Sequence, residues 1–360
     1  MKNNTVKFTT SDKPEFIVEL RKRINTYFKE NNLDRYGSKK MHVKTIFMIS
    51  LYVLPWVVLS LGIFTSIYTI IGLWVLVGLG MAGIGLSIMH DANHGSYSKN
   101  QKVNKRLGYL MNCLGGNHIT WKIQHNTLHH SFTNVDGLDE DIEIPVMRFS
   151  PDQKRHPLFR FQAIYGIFFY GLLTLFKYLV KDFVQLVDYE KRGLLKKHNT
   201  SLSRAIFLAV LMKIAYAAII VGIPVLITGM VSEMIIGFLV MHFVCGLILA
   251  FIFQCAHVLE ETSFYTPDEG QNIEASWAIL QMKTTANFAK GNKFLSWFIG
   301  GLNYQVEHHL FPTICHIHYK KMSPIVKATA EEYGVPYYEH KTFIRAIGSH
   351  LRLLHKLGKA

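Results

Sequence analysis

Three short clusters of histidine are the residues whose type and spacing could do chemistry. They contain seven of the 18 histidines of the chain. The clusters are HDANH at 90–94, HNTLHH at 125–130 and QVEHH at 305–309. Two histidines four residues apart, such as His90 and His94, lie on one face of a helix. In the third cluster, Gln305 stands four residues before His309, where the first two clusters have histidine. Each cluster can therefore direct two or three side chains at one point.

Imidazoles in this number predict a metal centre. Neutral imidazole binds zinc, copper, iron and nickel. His257, at the end of an apolar run, adds an eighth imidazole, which is more than one metal takes, so two metals are predicted. A structural zinc site would be closed by four ligands and often uses cysteine, which these clusters do not contain. Oxidation of an unactivated C–H bond by O₂ requires a redox-active metal pair, and histidine-bound iron is suited to that task.

Long apolar runs must position these clusters. The chain has 360 residues, of which 49% are hydrophobic, and it has no Lys or Arg between Lys44 and Lys99. A membrane-spanning helix needs about 20 apolar residues. The sequence therefore predicts four spans, at 45–64, 67–89, 206–228 and 232–256.

The basic residues predict the orientation of these spans. The formal net charge is +14, and basic residues follow the second span and precede the third, whereas the two short outer turns have none. By the positive-inside rule, both termini and all three histidine clusters are expected to be cytoplasmic. The apolar segment 162–180 would reverse this order if it crossed the membrane, so an interfacial or re-entrant helix is the preferred interpretation. The basic excess is assigned to the membrane surface, and no nucleic-acid partner is expected.

The predicted fold class is all-α: an integral membrane protein with four transmembrane helices and a cytoplasmic helical cap that holds the metal site. The cap is expected to form from 91–204 and 257–360. One catalytic domain is predicted over 45–320, between cytoplasmic segments 1–44 and 321–360. The four cysteines lie far apart, without a C-x-x-C pair, and are predicted to be ordinary thiols of a reducing compartment.

The stretches HDANH, HNTLHH, TNVDGLDED and GLNYQVEHHLFP strongly resemble the membrane fatty acid desaturases, which are marked by three histidine boxes. The resemblance covers roughly residues 45–320. A third box that opens with glutamine is similar to the front-end branch of the family, which inserts a double bond between an existing one and the carboxyl end. The resemblance therefore implies a fatty-acyl desaturase of the Δ5 or Δ6 type that uses O₂ and two electrons.

The resemblance also implies a cofactor of two iron ions and its ligands, and no catalytic residue beyond these ligands. The implied ligands are His90, His94, His125, His129, His130, His257, Gln305, His308 and His309. Gln305 stands where other desaturases have a histidine ligand, and its carbonyl oxygen could ligate weakly or its amide could hold a ligand or water. Phe253 occupies a position, four residues before His257, at which some relatives have asparagine.

Ligating histidines usually donate their second N–H to a carboxylate or a carbonyl. Six acidic residues near the clusters are candidates, and two or three of them are expected to serve. They are Asp91, Asp136, Asp139, Asp141, Glu261 and Glu307. His242, inside the fourth predicted span, is instead expected to be a structural histidine.

Many front-end desaturases carry a fused cytochrome b5 domain with a His-Pro-Gly-Gly motif, which this sequence lacks. A separate electron donor, either ferredoxin or cytochrome b5 with a reductase, is therefore expected, and the acyl substrate would be an acyl-CoA or an acyl-lipid. Two alternatives stay open. One is a hydroxylase or ketolase on the same scaffold. The other is a metal transporter, which would place ionisable ligands at the bilayer midplane, whereas nearly all of these histidines lie at predicted span ends or in the cap.

Overall fold

A computed structural model describes residues 6–9 and 12–359, and most of them are helical. The chain divides into two compact units, each assembled from separate stretches of sequence. Unit 1 comprises residues 1–37, 124–166 and 251–360, and unit 2 comprises residues 38–123 and 167–250. The second and third histidine clusters belong to unit 1 and the first cluster belongs to unit 2. The predicted domain boundaries after residues 44 and 320 stay predictions.

Within the described residues, four single helices are long and apolar enough to cross a membrane, and they correspond to the four predicted spans. Spans 1 to 4 are Lys39–Ser60, Ile67–Asn93, Leu202–Thr228 and Val231–His257. The Ser38 side chain caps span 1 by accepting a hydrogen bond from the Lys40 backbone N–H, which satisfies a donor that a helix start leaves open. Gly229 ends span 3 in the left-handed conformation, which glycine adopts without a Cβ penalty.

The apolar segment at 162–180 lies in a bent pair of helices. Pro157–Gly171 and Leu173–Lys191 meet at an angle of 59°. Such a pair is either a broken span or a re-entrant loop, and the chain has up to five spans if this pair is counted as one. The interfacial or re-entrant interpretation therefore stays a prediction.

Two of the spans contain π-helical stretches, in which the hydrogen-bonded turn is one residue wider than in an α-helix. They are Ile84–Met89 in span 2, directly before the helical turn His90–Asn93, and Ala218–Gly222 in span 3. The other elements of unit 2 are short helices at Gln101–Gly108, Leu110–Cys113, His118–Lys122, Leu173–Phe176, Lys177–Lys181, Asp182–Lys191 and Leu195–His198.

His242 in span 4 is structural, as predicted. Its Nε2 lies 3.1 Å from the Tyr216 hydroxyl, and its Nδ1 lies 3.0 Å from the Thr174 hydroxyl. Both ring nitrogens of this buried histidine are thus used within unit 2, which satisfies its polar atoms.

Unit 1 has a core between its N-terminal helix, Pro14–Glu30, and the helix Tyr319–Glu332. The first of these buries a residue on every fourth position from Phe16 to Phe28, which is the apolar stripe of a helix that packs on one face. The same core contains Tyr304 and Val306, which flank Gln305 of the third cluster. Ordering of the N-terminal helix and of this cluster is therefore coupled through shared packing.

The other elements of unit 1 are short. Its helices are Ile123–His129, His130–Phe132, Pro157–Phe161, Gln162–Gly171, Trp277–Thr284, Lys293–Phe298, Gln305–Leu310, His316–His318 and Phe343–Lys359. The first of these begins in unit 2, and the second half of the fourth lies in unit 2. Two parallel two-stranded ladders complete it. Lys7–Phe8 pairs with Asn272–Ile273, and Ala286–Phe288 pairs with Tyr338–His340.

Candidate metal centre

The second histidine cluster begins in a π-helix, Ile123–His129. Because the π-turn is wider than the α-turn, His125 faces two later histidines instead of one. Its ring centre lies 5.4 Å from that of His129 and 4.8 Å from that of His130. The four-residue spacing predicted the first of these contacts on an α-helix, and the π-helix adds the second.

The third cluster lies on the buried helix Gln305–Leu310, and its two histidines join those of the second. The ring of His308 stacks 6.0 Å from that of His125. Two groups of three imidazoles form, each with its ligand nitrogens within 4.8 Å of one another. The first group is His129, His257 and His309, and the second is His130, His308 and His309. Since His309 belongs to both, two metal ions held by these groups would be close neighbours.

One ring nitrogen of four of these histidines is held by another part of unit 1. The pairs are His129 Nδ1 with Asp139 Oδ2 at 3.0 Å, His257 Nδ1 with the Thr284 carbonyl at 3.1 Å, His308 Nδ1 with the Tyr319 hydroxyl at 3.1 Å, and His309 Nδ1 with Gln281 Oε1 at 2.7 Å. This arrangement is typical of metal sites, where the second nitrogen fixes the tautomer and the orientation of the ring. It leaves Nε2 of each ring to serve as the ligand.

The buried Nε2 atoms of His129 and His257 test whether a metal fits. Within the described residues, neither atom has a hydrogen-bond partner of standard geometry. A buried polar atom without a partner costs about 1–3 kcal/mol, and a metal ion bound there would remove that cost. The residues present therefore fit a histidine-bound metal.

Asp139 is the carboxylate that orients the His129 ring. It is fully buried, and it also accepts hydrogen bonds from the backbone N–H groups of Asn134 and Asp141, at 2.9 and 3.1 Å. Burial alone would raise the pKa of the Asp139 carboxyl, but the His129 ring and these N–H groups hold it below its usual range. The carboxylate is thus kept charged and fixed by three donors.

The other acidic candidates have different partners. Asp91 and Asp141 each have an oxygen 3.8 Å from a ring nitrogen, of His90 and of His129 respectively. The remaining three brace other parts of unit 1: Asp136 accepts from Ser150, Glu261 accepts from Ser349, and Glu307 accepts from Asn287 and Tyr337. Among the six candidates, Asp139 is the carboxylate seen at hydrogen-bonding distance from a ring nitrogen. The expected number of two or three orienting carboxylates stays a prediction.

Three groups that hold histidine rings escaped the sequence analysis, namely the Gln281 amide, the Thr284 carbonyl and the Tyr319 hydroxyl. Gln281 also accepts a hydrogen bond of 2.9 Å from the Thr133 hydroxyl. One signal was available, because a buried glutamine within the mostly apolar helix Trp277–Thr284 needs polar partners. A backbone carbonyl and a tyrosine give no such signal.

Replacement of Tyr319 by phenylalanine is expected to weaken metal retention modestly. The change removes one hydrogen bond to the His308 ring and keeps the packing, and such a bond is worth about 1 kcal/mol, or about fivefold in affinity. Iron content after dialysis against a graded series of chelator concentrations measures the effect. Tyr68→Phe is the matched control, since Tyr68 is 87% exposed. Equal iron retention in both variants would show that the hydroxyl does not position His308.

The first cluster lies in unit 2, where span 2 ends. The ring centres of His90 and His94 are 4.7 Å apart, so the two histidines share a face as predicted. The Trp121 ring lies beside both, at 5.8 and 6.1 Å. Of the nine ligands named from the sequence, these two belong to unit 2 and the other seven belong to unit 1.

The two positions where the sequence departs from common desaturase patterns both lie beside His257. The Gln305 side chain lies within reach of the His257 imidazole. The Phe253 ring centre lies 4.8 Å from those of His129 and of His257. Phenylalanine offers no ligand atom, so it closes this side of the first imidazole group with an apolar wall.

Apolar spans and buried, rigidly held imidazole groups define a class, the integral-membrane metalloproteins. The sequence model of the fatty acid desaturase family matches residues 65–341. The chain is 35% identical to sn-1 linoleoyl-lipid 6-desaturase from Synechocystis sp., over 99% of this chain and 98% of the relative. It is 33% identical to acyl-lipid (8-3)-desaturase from Physcomitrium patens, over 99% of this chain and 74% of the relative. It is 32% identical to Delta(5) fatty acid desaturase A from Dictyostelium discoideum, over 96% of this chain and 75% of the relative.

The chain belongs to the fatty acid desaturase family. It is therefore an oxidoreductase of lipid metabolism, and its spans make it an integral membrane protein. Members of this family generally depend on two irons, and the imidazole groups of unit 1 are able to hold metal ions. The predictions of family, of enzyme type and of a mostly helical membrane fold are confirmed, and the cytoplasmic cap that holds the metal site stays a prediction.

Proposed function

We propose that the chain is a front-end desaturase that inserts a double bond near carbon 5 or 6 of an unsaturated acyl chain carried by a membrane lipid. Two features support this proposal. The relatives are named as 6-, Delta(5) and (8-3)-desaturases, and two of the three names specify a lipid-bound acyl group. The third histidine box opens with Gln305, as in the front-end branch.

The proposed cofactor is a pair of iron ions, held by the nine residues that the sequence indicates. When bound, the irons supply the activation of O₂ that removal of two hydrogens from adjacent methylenes requires. The protein contributes orientation of the rings through Asp139, Gln281 and Tyr319, and it contributes burial that keeps water from the imidazoles. Gln305 is proposed to tune the first imidazole group through its position beside His257.

The observation that carries this proposal is the pair of imidazole groups that share His309. Two neighbouring sites built from neutral nitrogen ligands suit a pair of iron ions that act together. A closed structural zinc site would use one set of four ligands, often with cysteine. The imidazole groups contain no cysteine among the described residues.

Expression in a host that lacks polyunsaturated fatty acids, with separate feeding of stearate and linoleate, tests the function. Mass spectrometry should locate a new double bond at carbon 5 or 6 of linoleate and leave stearate unchanged. Conversion of stearate at carbon 9, with linoleate unchanged, would contradict the front-end assignment, but the assignment as a desaturase would stand. A hydroxylated product without a new double bond would favour the hydroxylase alternative.

The histidine clusters and both termini are proposed to face the cytoplasm, as the distribution of basic residues supports. Single cysteines at Asn100, Lys196 and Phe64, in a background without the four native cysteines, test the orientation by labelling of intact cells. The first two should be protected from an impermeant reagent and the third should react. Labelling of Lys196→Cys from outside would mean that the bent helix pair crosses the membrane.

The electron donor is proposed to be a separate protein, either ferredoxin or cytochrome b5 with its reductase. The sequence contains no His-Pro-Gly-Gly haem motif, which supports this assignment. Purified enzyme should therefore turn over only when donor and reductase are added to O₂ and NADH. Sustained turnover with O₂ and NADH alone would refute the proposal of a separate donor protein.

A further inference from the structure

A cavity of about 710 Å³ in unit 1 lies between the segment 155–164 and the C-terminal helix, Phe343–Lys359. Four residues that line it are basic: Arg155, Arg160, His355 and Lys359. Among the described residues, no acidic residue lines it, and none of the histidines assigned to the metal centre does. The cavity is therefore a separate feature with a one-sided charge.

The walls of this cavity are built by buried hydrogen bonds. The buried Arg148 guanidinium donates to the Leu357 carbonyl at 2.9 Å. The buried Gln162 amide donates to the Leu354 carbonyl at 2.8 Å and accepts from the Arg148 backbone N–H at 2.8 Å. At Gly358 the two backbones approach so closely that a Cβ would overlap the Phe159 carbonyl. The cavity is thus preformed rather than a chance gap between mobile side chains.

The basic residues of the cavity are not neutralised within the described chain. Arg155 donates to the Lys359 carbonyl at 2.7 Å, and the Arg160 guanidinium lies 5.1 Å over the Phe161 ring. On the same C-terminal helix, Arg352 and Lys356 point to another region and both pair with Glu260. Glu260 partly offsets the charge on that part of the helix, whereas no described carboxylate pairs with the basic residues of the cavity. The cavity therefore has a local positive potential, which favours an anion.

An apolar rim adjoins this basic cavity. Leu158, Phe161 and Ile164 are 63%, 52% and 75% exposed. They recur at every third residue, a spacing that keeps them on a common side of the short helix and the turn that follows. They open the bent helix pair, which is apolar enough to enter a membrane. Basic side chains followed directly by exposed apolar ones are the pattern of a segment at the level of lipid phosphates.

We propose that this cavity binds the phosphate headgroup of an anionic membrane phospholipid, with Arg155, Arg160 and Lys359 as its donors and the apolar rim in contact with the acyl chains. Arginine suits this task because its fork can donate two parallel hydrogen bonds to phosphate oxygens. The bound lipid would anchor unit 1 at the membrane surface through its C-terminal helix. The inference uses the membrane location of the chain and does not depend on which carbon pair is oxidised.

Spin-labelled lipids in reconstituted vesicles test the proposal. The full chain is reconstituted in phosphatidylcholine vesicles that contain a trace of spin-labelled phosphatidylglycerol or spin-labelled phosphatidylcholine, and the motionally restricted fraction is measured. Wild-type protein should prefer phosphatidylglycerol several-fold. The double variant Arg155→Glu/Arg160→Glu should lose that preference. Equal binding of the two lipids by wild-type protein would overturn the proposal.

The matched control is Lys341→Glu/Arg345→Glu, which makes the same change in net charge at exposed positions outside the cavity. This control variant should keep most of the preference for phosphatidylglycerol. An equal loss of preference in both double variants would show that general surface charge causes it, and it would overturn the proposed site. Arg155→Gln/Arg160→Gln, which avoids new repulsion, should also lose the preference. Competition with millimolar inorganic phosphate distinguishes a lipid phosphate from free phosphate as the ligand. Full displacement of the labelled lipid would identify a site for free phosphate and overturn the lipid assignment.

Discussion

Replacement of His309 by alanine should abolish desaturation and remove most of the bound iron. His309 lies within reach of both three-imidazole groups of unit 1. Its Nδ1 is held by Gln281, so its Nε2 can bind one metal ion, and the alanine variant loses a direct ligand of that ion. Changes to residues that only support metal ligands already cost about 10–100-fold in metal affinity or activity. Loss of a direct ligand should therefore lower metal affinity and activity by more than about 100-fold. Product formation from linoleate and iron content per chain measure the two effects.

His156→Ala is the matched control for this prediction. His156 is exposed and caps the short helix Pro157–Phe161, so its loss should leave iron content and turnover close to wild type. Both variants should insert into the membrane in similar amounts, because no span is altered. A His309→Ala protein with full iron content and normal turnover would exclude His309 as a ligand of either metal.

Replacement of Asp139 by asparagine should lower iron retention and turnover by about 10–100-fold. The Asp139 carboxylate accepts from His129 Nδ1 and from two backbone N–H groups. The amide of asparagine keeps one oxygen and replaces the other by a donor, so at least one of these three groups loses its acceptor. The His129 ring also loses the negative charge that raises its basicity toward a metal.

The comparison variant is Asp188→Asn, the same chemical change at a surface residue that pairs with Arg192 on one helix. Exposed pairs of this kind contribute about 0–1 kcal/mol, so iron content and turnover should stay near wild type. Chelator titration followed by activity measurement compares the two. Asp139→Asn with wild-type chelator resistance would mean that His129 is oriented without this carboxylate.

Much of the fold and of the candidate site follows from local patterns in the sequence. Uninterrupted apolar runs predict the spans to within a few residues, because a span must satisfy its whole backbone internally and expose an apolar surface. The four-residue spacing predicts that His90 and His94 share a face, and their rings do lie close together. Asp139 was predictable as a candidate because it lies ten residues after His129, in the acidic stretch that follows the second cluster.

The rest depends on contacts that spacing does not encode. The π-helix at Ile123–His129 changes which histidines His125 meets, and no residue type marks a π-turn. Gln281 and Tyr319 reach their histidines from other helices, as packing of unit 1 dictates. The N-terminal helix was predicted as part of a terminal segment, yet its apolar stripe lies in the same core as residues beside the third cluster.

The position of that N-terminal helix bears on the order in which the chain can mature. The helix is synthesised first, but its partners are synthesised near the end: Arg23 bonds Thr329, which is 306 residues away. Loops of such length close late in folding, because their entropy cost is met only when distant segments meet. The third cluster shares this core, so its imidazoles reach their final arrangement only after the helix Tyr319–Glu332 has been synthesised and has packed. A metal ion bound by these histidines would consequently enter late, and a chain truncated before Tyr319–Glu332 would expose the histidines without a finished site.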